Sequence, residues 1–178
     1  MALSLLSETI GIYASIKYRS NLPVYGIDSL FEFGLISLYF NSSIDVFRRK
    51  NIGYYIGALG IVLGIVNLIF VQGFNTLNSY FLVFEGICII GMALFSFFRL
   101  LLRYDNLQLQ KYPHFWLATI LVFFWSATFI NWSLYDYFFV KLRDMMWIVD
   151  LSIISAGIVT YIGISCVFIL YPRMRKTL

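Results

Sequence analysis

Six apolar stretches, of which the first is short and the other five are long enough to cross a lipid bilayer, follow one another along this chain of 178 residues. They cover residues 2–16, 22–47, 52–71, 75–102, 113–132 and 145–171. A transmembrane helix needs roughly 20 mostly apolar residues. Inside lipid every backbone N–H and C=O must be bonded within the protein, so only helices and closed barrels can cross. The strict apolar–polar alternation that barrel strands need is absent from the sequence.

The composition supports the same fold class. Hydrophobic residues make up 61% of the chain and charged residues 12%, whereas soluble domains average about 45–50% and about 25%. The chain has only three prolines, so its helices can be nearly continuous. The sequence therefore predicts an all-α, polytopic transmembrane helical bundle of about six spans, with short loops and no soluble domain. Residues 1–178 are expected to form a single domain.

The basic residues predict the orientation of the spans, because lysine and arginine are enriched in cytoplasmic loops. With a cytoplasmic N-terminus, four of them lie outside: Lys17, Arg19, Lys141 and Arg143. Nine lie inside: Arg48, Arg49, Lys50, Arg99, Arg103, Lys111, Arg173, Arg175 and Lys176. Both termini are therefore predicted to be cytoplasmic. If the short first span does not cross, the number of spans changes, but the loop at residues 48–50 stays inside.

Three glutamates lie within the apolar stretches: Glu8, Glu32 and Glu85. A carboxylate in hydrocarbon costs several kcal/mol unless it is paired, hydrogen-bonded, protonated or hydrated. At 1.5 Å per residue, Glu8 lies roughly 12 Å, and Glu32 and Glu85 roughly 15 Å, below the expected outer ends of their spans. The three are therefore expected at one depth, in the outer half of the bundle.

Other polar residues fall in the same half of the bundle. Asn78 precedes Glu85 by seven positions, which places both on one helical face, and Asp28 shares a face with Glu32. Asp150 lies just inside the sixth span. The sequence predicts a polar pocket open to the outer side that binds a cationic ligand or protons, with candidate residues Glu8, Glu32, Asn78, Glu85 and Asp150. The alternative is that each carboxyl is protonated or hydrogen-bonded and serves only helix packing.

The third stretch carries four glycines on one helical face: Gly53, Gly57, Gly60 and Gly64. Such a face lets another backbone approach closely. The partner is expected to be another helix of the same chain, with a second copy or another membrane subunit as the alternative.

Several kinds of site lack the residues they need. The single histidine, His114, starts a span next to Pro113, and Cys88 and Cys166 lie inside spans, so no zinc site or disulfide is expected. No phosphate-binding loop is present, and no cofactor is expected. The net charge of +4 comes from residues at span ends, which favours contact with lipid headgroups over binding of nucleic acid.

Four short runs resemble a known group of proteins: residues 7–11 (SETIG), 30–33 (LFEF), 74–80 (FNTLNSY) and 113–116 (PHFW). On the basis of these runs, the chain resembles small polytopic inner-membrane proteins of Bacteroidetes-type bacteria, and the resemblance covers most of its length. The resemblance implies a helical bundle in a bacterial inner membrane. It implies no activity.

Three hypotheses for the function follow from these patterns. The first is a sensor or small transporter that binds a ligand or protons in the outward-facing pocket. The second is a structural or assembly subunit of a larger membrane complex, which the short loops and the glycine face favour. The third is an intramembrane enzyme with carboxylates as acid and base, although no nucleophile or metal set accompanies them. The sequence therefore leaves an enzymatic role open but disfavours it.

Overall fold

The computed structural model describes residues 2–74, 76–103, 109 and 112–175, and every regular element among them is helical. The helices are α1 (Ala2–Tyr18), α2 (Leu22–Ser43), α3 (Asp45–Lys50), α4 (Ile52–Val66), α5 (Ser79–Arg103), α6 (Pro113–Ser133), α7 (Tyr135–Lys141) and α8 (Met146–Arg175). A π-helical turn, Asn67–Val71, continues α4, and a 3-10 turn, Arg143–Met145, precedes α8. The all-helical part of the predicted fold class is therefore confirmed.

Four segments of the described chain are long and apolar enough to cross a membrane: Ile52–Val71, Ser79–Leu102, Pro113–Ser133 and Met146–Tyr171. They match the last four predicted spans. The first predicted span forms α1, which has only 17 residues. The second forms α2, which carries Asp28 and Glu32.

Two predicted boundaries were wrong. The stretch 22–47 is not one helix, because the backbone is extended at Ile44 between α2 and α3. Ser42 donates its hydroxyl hydrogen bond to the Tyr39 carbonyl just before this break, and serines that bond the backbone locally compete with helix formation. The fourth stretch begins as a helix at Ser79 instead of residue 75, because Thr76 bonds the carbonyl oxygens of Gln72 and Gly73 and holds a turn there.

The chain divides into two compact units, Met1–Glu85 and Gly86–Leu178. The single bundle over residues 1–178 stays a prediction. In the first unit, α2 packs against α1 and along α4. In the second unit, α6 packs along α8, where Ile120 of α6 closely approaches Gly163 of α8.

The glycine face of α4 lies against α2. Gly53, Gly57, Gly60 and Gly64 are all buried. A Cβ atom at Gly53 would lie 2.5 Å from the Ser37 carbonyl oxygen, and one at Gly60 would overlap the Phe33 ring. The partner of this face is therefore a helix of the same chain. A homo-oligomer or membrane-complex contact through this face, the alternative that the sequence left open, stays a prediction.

Candidate functional site

One face of α5 is buried, and Glu85 lies within it. Phe81, Glu85, Ile89 and Met92 repeat at helical spacing and are all buried. Asn78, directly before the helix, extends the same face and is also buried. Phe81, Ile89 and Met92 are apolar, and Ser96, one turn after Met92, adds only a neutral hydroxyl group. The ionisable carboxyl group of Glu85 is therefore the exception that needs a chemical explanation.

The Glu85 side chain has no exposed surface, and neither of its carboxyl oxygens has a hydrogen-bond partner among the described residues. Aromatic side chains pack in this region. The ring of Phe33, from α2, lies 5.9 Å from the ring of Phe81 in an edge-on arrangement and 5.9 Å from that of Phe84. Glu85 is therefore held in an apolar environment, where a carboxylate is poorly solvated.

Two further acids lie close enough to act electrostatically on Glu85. They are Asp28 and Glu32, one turn apart on α2. Asp28 is half-buried and Glu32 is exposed. Within the described part of the chain, no lysine or arginine forms an ion pair with any of the three acids, since the ion pair found there joins Arg48 to Asp45.

This arrangement restricts the charge state of Glu85. Burial without a partner disfavours the ionised form, and negative charges nearby disfavour it further. The site is therefore compatible with the neutral acid, or with a carboxylate that has taken up a cation. In chemical terms, Glu85 can hold a proton and release it when its surroundings become more polar.

The structure places the described residues of the predicted outward-facing pocket in different surroundings. Glu85 and Asn78 are 0% and 2% exposed, so neither side chain lines an open cavity. Glu32 instead lies on the surface. These residues differ in exposure because the α5 face that carries Asn78 and Glu85 packs against the core, whereas the α2 face that carries Glu32 does not. Glu8 lies in α1, but its side chain is outside the described residues. Asp150 is exposed and belongs to the second unit.

A polar network joins the end of α4 to the start of α5. The Asn67 side-chain amide donates to Gln72 Oε1 at 2.7 Å and also to Asn78 Oδ1. Gln72 in turn donates to Ser79 Oγ at 2.7 Å and accepts from the backbone N–H of Tyr80. The three amide side chains of Asn67, Gln72 and Asn78 therefore lie close together. Their mutual bonds offset the burial of the Asn67 amide and of Asn78 Oδ1, and they hold the loop between α4 and α5.

An open groove lies between α1 and α2, with a volume of about 170 Å³. Its walls are mostly apolar, and the half-buried Asp28 is the one charged residue among them: Leu6, Ser7, Ile10, Val24, Ile27, Asp28 and Phe31. The groove thus brings an open surface to one of the two acids beside Glu85.

Comparison with protein families, with curated proteins and with solved structures found no match for this chain. The candidate site therefore has to be interpreted from its own chemistry. No group of three or more histidine, cysteine, aspartate or glutamate side chains that could hold a metal ion occurs among the described residues.

Sequence reasoning missed three buried polar residues of α2: Ser29, Ser37 and Asn41. Asn41 accepts a hydrogen bond from the backbone N–H of Gly53 at 3.0 Å, and Ser37 lies against Gly57. Both are spaced four apart with Phe33, on the face that meets α4. This four-residue spacing places the small side chain of Ser37 and the amide of Asn41 opposite the glycines of α4. The spacing could therefore have indicated from sequence that both side chains are buried.

Proposed function

We propose that the protein is a proton-binding integral membrane protein of the sensor or transporter type, in which Glu85 takes up and releases the proton. In this proposal six segments cross the bacterial inner membrane, α1 and α2 among them, and both termini are cytoplasmic. The chemistry depends on the carboxyl groups of Glu85, Glu32 and Asp28.

The observation that carries the proposal is the complete burial of the Glu85 carboxyl group without a hydrogen-bond partner among the described residues. A carboxyl that only fastened two helices would be expected to bond a donor on the neighbouring helix, as Asn67 and Asn78 do. Intramembrane acids in such surroundings are typical of proton relays.

The complete burial of Glu85 also limits the size of the ligand that can reach its carboxyl group. With no exposed surface, Glu85 has no opening through which a hydrated cation or an organic amine could reach it in this conformation. A proton needs no such space. Asp28 is half-buried and lines the open groove between α1 and α2, which supports a path in which Asp28 exchanges the proton with the groove and passes it to Glu85.

Infrared spectroscopy of the reconstituted protein tests this proposal. We expect wild-type protein at neutral pH to show the C=O stretch of a protonated carboxylic acid, and Glu85→Gln to lack it. Thermal unfolding across pH 4–9 adds the second readout. The folded state keeps a proton that the unfolded state releases, so the unfolding free energy of wild type falls as pH rises.

The matched control is Asp150→Asn, which also replaces a carboxyl by an amide but at an exposed position of the second unit, outside the proposed proton path. It is expected to keep the infrared band and most of the pH dependence. The proposal fails if Glu85→Gln leaves both the band and the pH dependence as in wild type, because Glu85 would then be ionised and hydrated.

A further inference from the structure

The connection between α2 and α4 carries an exposed cluster of basic side chains. It consists of Arg48, Arg49 and Lys50, which end α3, and all three are exposed. The next residues are Asn51, in a left-handed backbone conformation, and Ile52, where a membrane-length apolar segment begins. The cluster therefore lies directly at the end of that segment.

Two apolar side chains hold α3 in place. Ile44 is 3% exposed and Phe47 is 7% exposed, so both are packed into the first unit. The chain also turns tightly after Lys50, where Asn51 has φ 54°. The basic side chains are therefore presented from an anchored helix, at a fixed position relative to the start of α4.

Two of the three positive charges are not compensated. Arg48 pairs with Asp45 at 3.3 Å. No acid among the described residues pairs with Arg49 or Lys50, which leaves two cations next to the end of an apolar segment. Near a membrane each such cation attracts the negative surface of anionic lipids.

We propose that the cluster Arg48–Arg49–Lys50 is a docking surface for anionic phospholipid headgroups, with Arg49 and Lys50 supplying the attraction. This proposal rests on the proposed insertion of α4 into a membrane, and it is independent of the proton chemistry at Glu85. The cluster fits a lipid phosphate because its charge is complementary and because it lies where headgroups meet the apolar segment.

The test uses full-length protein in nanodiscs of phosphatidylcholine with an increasing fraction of phosphatidylglycerol. We expect the thermal midpoint of wild type to rise with the phosphatidylglycerol fraction. Arg49→Gln/Lys50→Gln should match wild type in pure phosphatidylcholine and lose most of the rise. Apparent affinity for phosphatidylglycerol should fall roughly fivefold per charge removed.

The chain offers a matched control in Lys141→Gln/Arg143→Gln. This pair is also exposed and also lies beside membrane-length segments. Its segment, residues 136–144, has no net charge because Asp136 and Asp144 balance Lys141 and Arg143, whereas residues 45–50 carry a net charge of +2. We expect this variant to keep the rise. Equal loss in both double variants, or no loss in Arg49→Gln/Lys50→Gln, would overturn the proposal.

Two further arms keep the result interpretable. Glycerol phosphate added to pure phosphatidylcholine nanodiscs should not raise the midpoint, and an equal rise would overturn the assignment to lipid. If the double variant does not fold, Lys50→Gln alone replaces it, with Arg49→Lys/Lys50→Arg as the charge-retaining control that should keep the rise. The behaviour of Glu85→Gln is measured separately, so failure of the lipid site leaves the proton site untouched.

Discussion

Asn41 belongs to α2, yet the backbone group that it bonds begins another helix. The first N–H groups of a helix have no acceptor within it, and Asn41 accepts from that of Gly53 in the first turn of α4. Since α4 has no side-chain cap from its own preceding residue, Asn51, this bond from α2 takes over part of the capping role. It also fixes the position of α4 along α2.

At the scale of single residues, we predict that Asn41→Leu lowers the unfolding free energy by about 1–3 kcal/mol, because it leaves a buried N–H without a partner. Thermal unfolding in detergent measures the loss. Asn131→Leu is the control, since its bond to Ser152 is at an exposed site, and it should cost well under half as much. Similar losses for both variants would contradict the capping role.

The residue scale also shows where prediction from sequence stops. Glu32 and Glu85 share a residue type and a similar apolar context, yet Glu32 is exposed and Glu85 is fully buried. Periodicity indicates which residues share a face of one helix. It does not indicate which face another helix covers, because that depends on contacts between residues far apart in sequence.

At the scale of elements, the close approach of another helix to α4 was the most predictable part of the fold, although the sequence did not indicate that this helix is α2. Four glycines at spacings of four, three and four define a smooth face, and close approach follows from it. The break at Ile44 was not predictable in the same way. Residues 44–47 are largely apolar, so their hydrophobicity does not indicate that a helix ends there. The break coincides with the local hydrogen bond of Ser42 and with the burial of Ile44 and Phe47.

We predict opposite effects for alanine at two helical glycines. Gly53→Ala should destabilise the protein by about 3 kcal/mol, because the new Cβ would meet the Ser37 backbone carbonyl, which cannot rotate away. Gly91→Ala should be neutral or stabilise by up to about 1 kcal/mol, because nothing lies within 4 Å of its Cβ position. Thermal unfolding of both variants measures these changes. An unchanged unfolding free energy of Gly53→Ala would contradict the close approach of α2 to α4.

At the scale of the whole molecule, the number of crossings between the two exposed positions Lys50 and Lys141 can be tested directly. Three membrane-length segments lie between them: Ile52–Val71, Ser79–Leu102 and Pro113–Ser133. An odd number of crossings places Lys50 and Lys141 on opposite sides of a membrane. The excess of basic residues on one side predicts that Lys50 is cytoplasmic.

We predict that a membrane-impermeant maleimide labels Lys141→Cys in intact spheroplasts and labels Lys50→Cys only after permeabilisation. Both variants are made in a Cys88→Ala/Cys166→Ala background, which serves as the unlabelled control. Labelling of both positions from the same side would contradict three crossings. Labelling of Lys50→Cys alone would keep the crossings and reverse the orientation.

The π-helical turn at Asn67–Val71 contains one extra residue, and this residue determines the direction of the Gln72 side chain. Its bond from the Gln72 N–H to the Asn67 carbonyl spans five residues, one more than an α-helical turn. Without that extra residue α4 would continue in ordinary register, and Gln72 would rotate by about 100° around the helix axis. Its amide would then face away from Asn67 and Ser79. A one-residue deletion in this turn would therefore leave the helical backbone of α4 intact but would break the hydrogen bonds of Gln72 to Asn67 and Ser79. The number of residues in the turn is thus as necessary for the polar network as the amide side chains themselves.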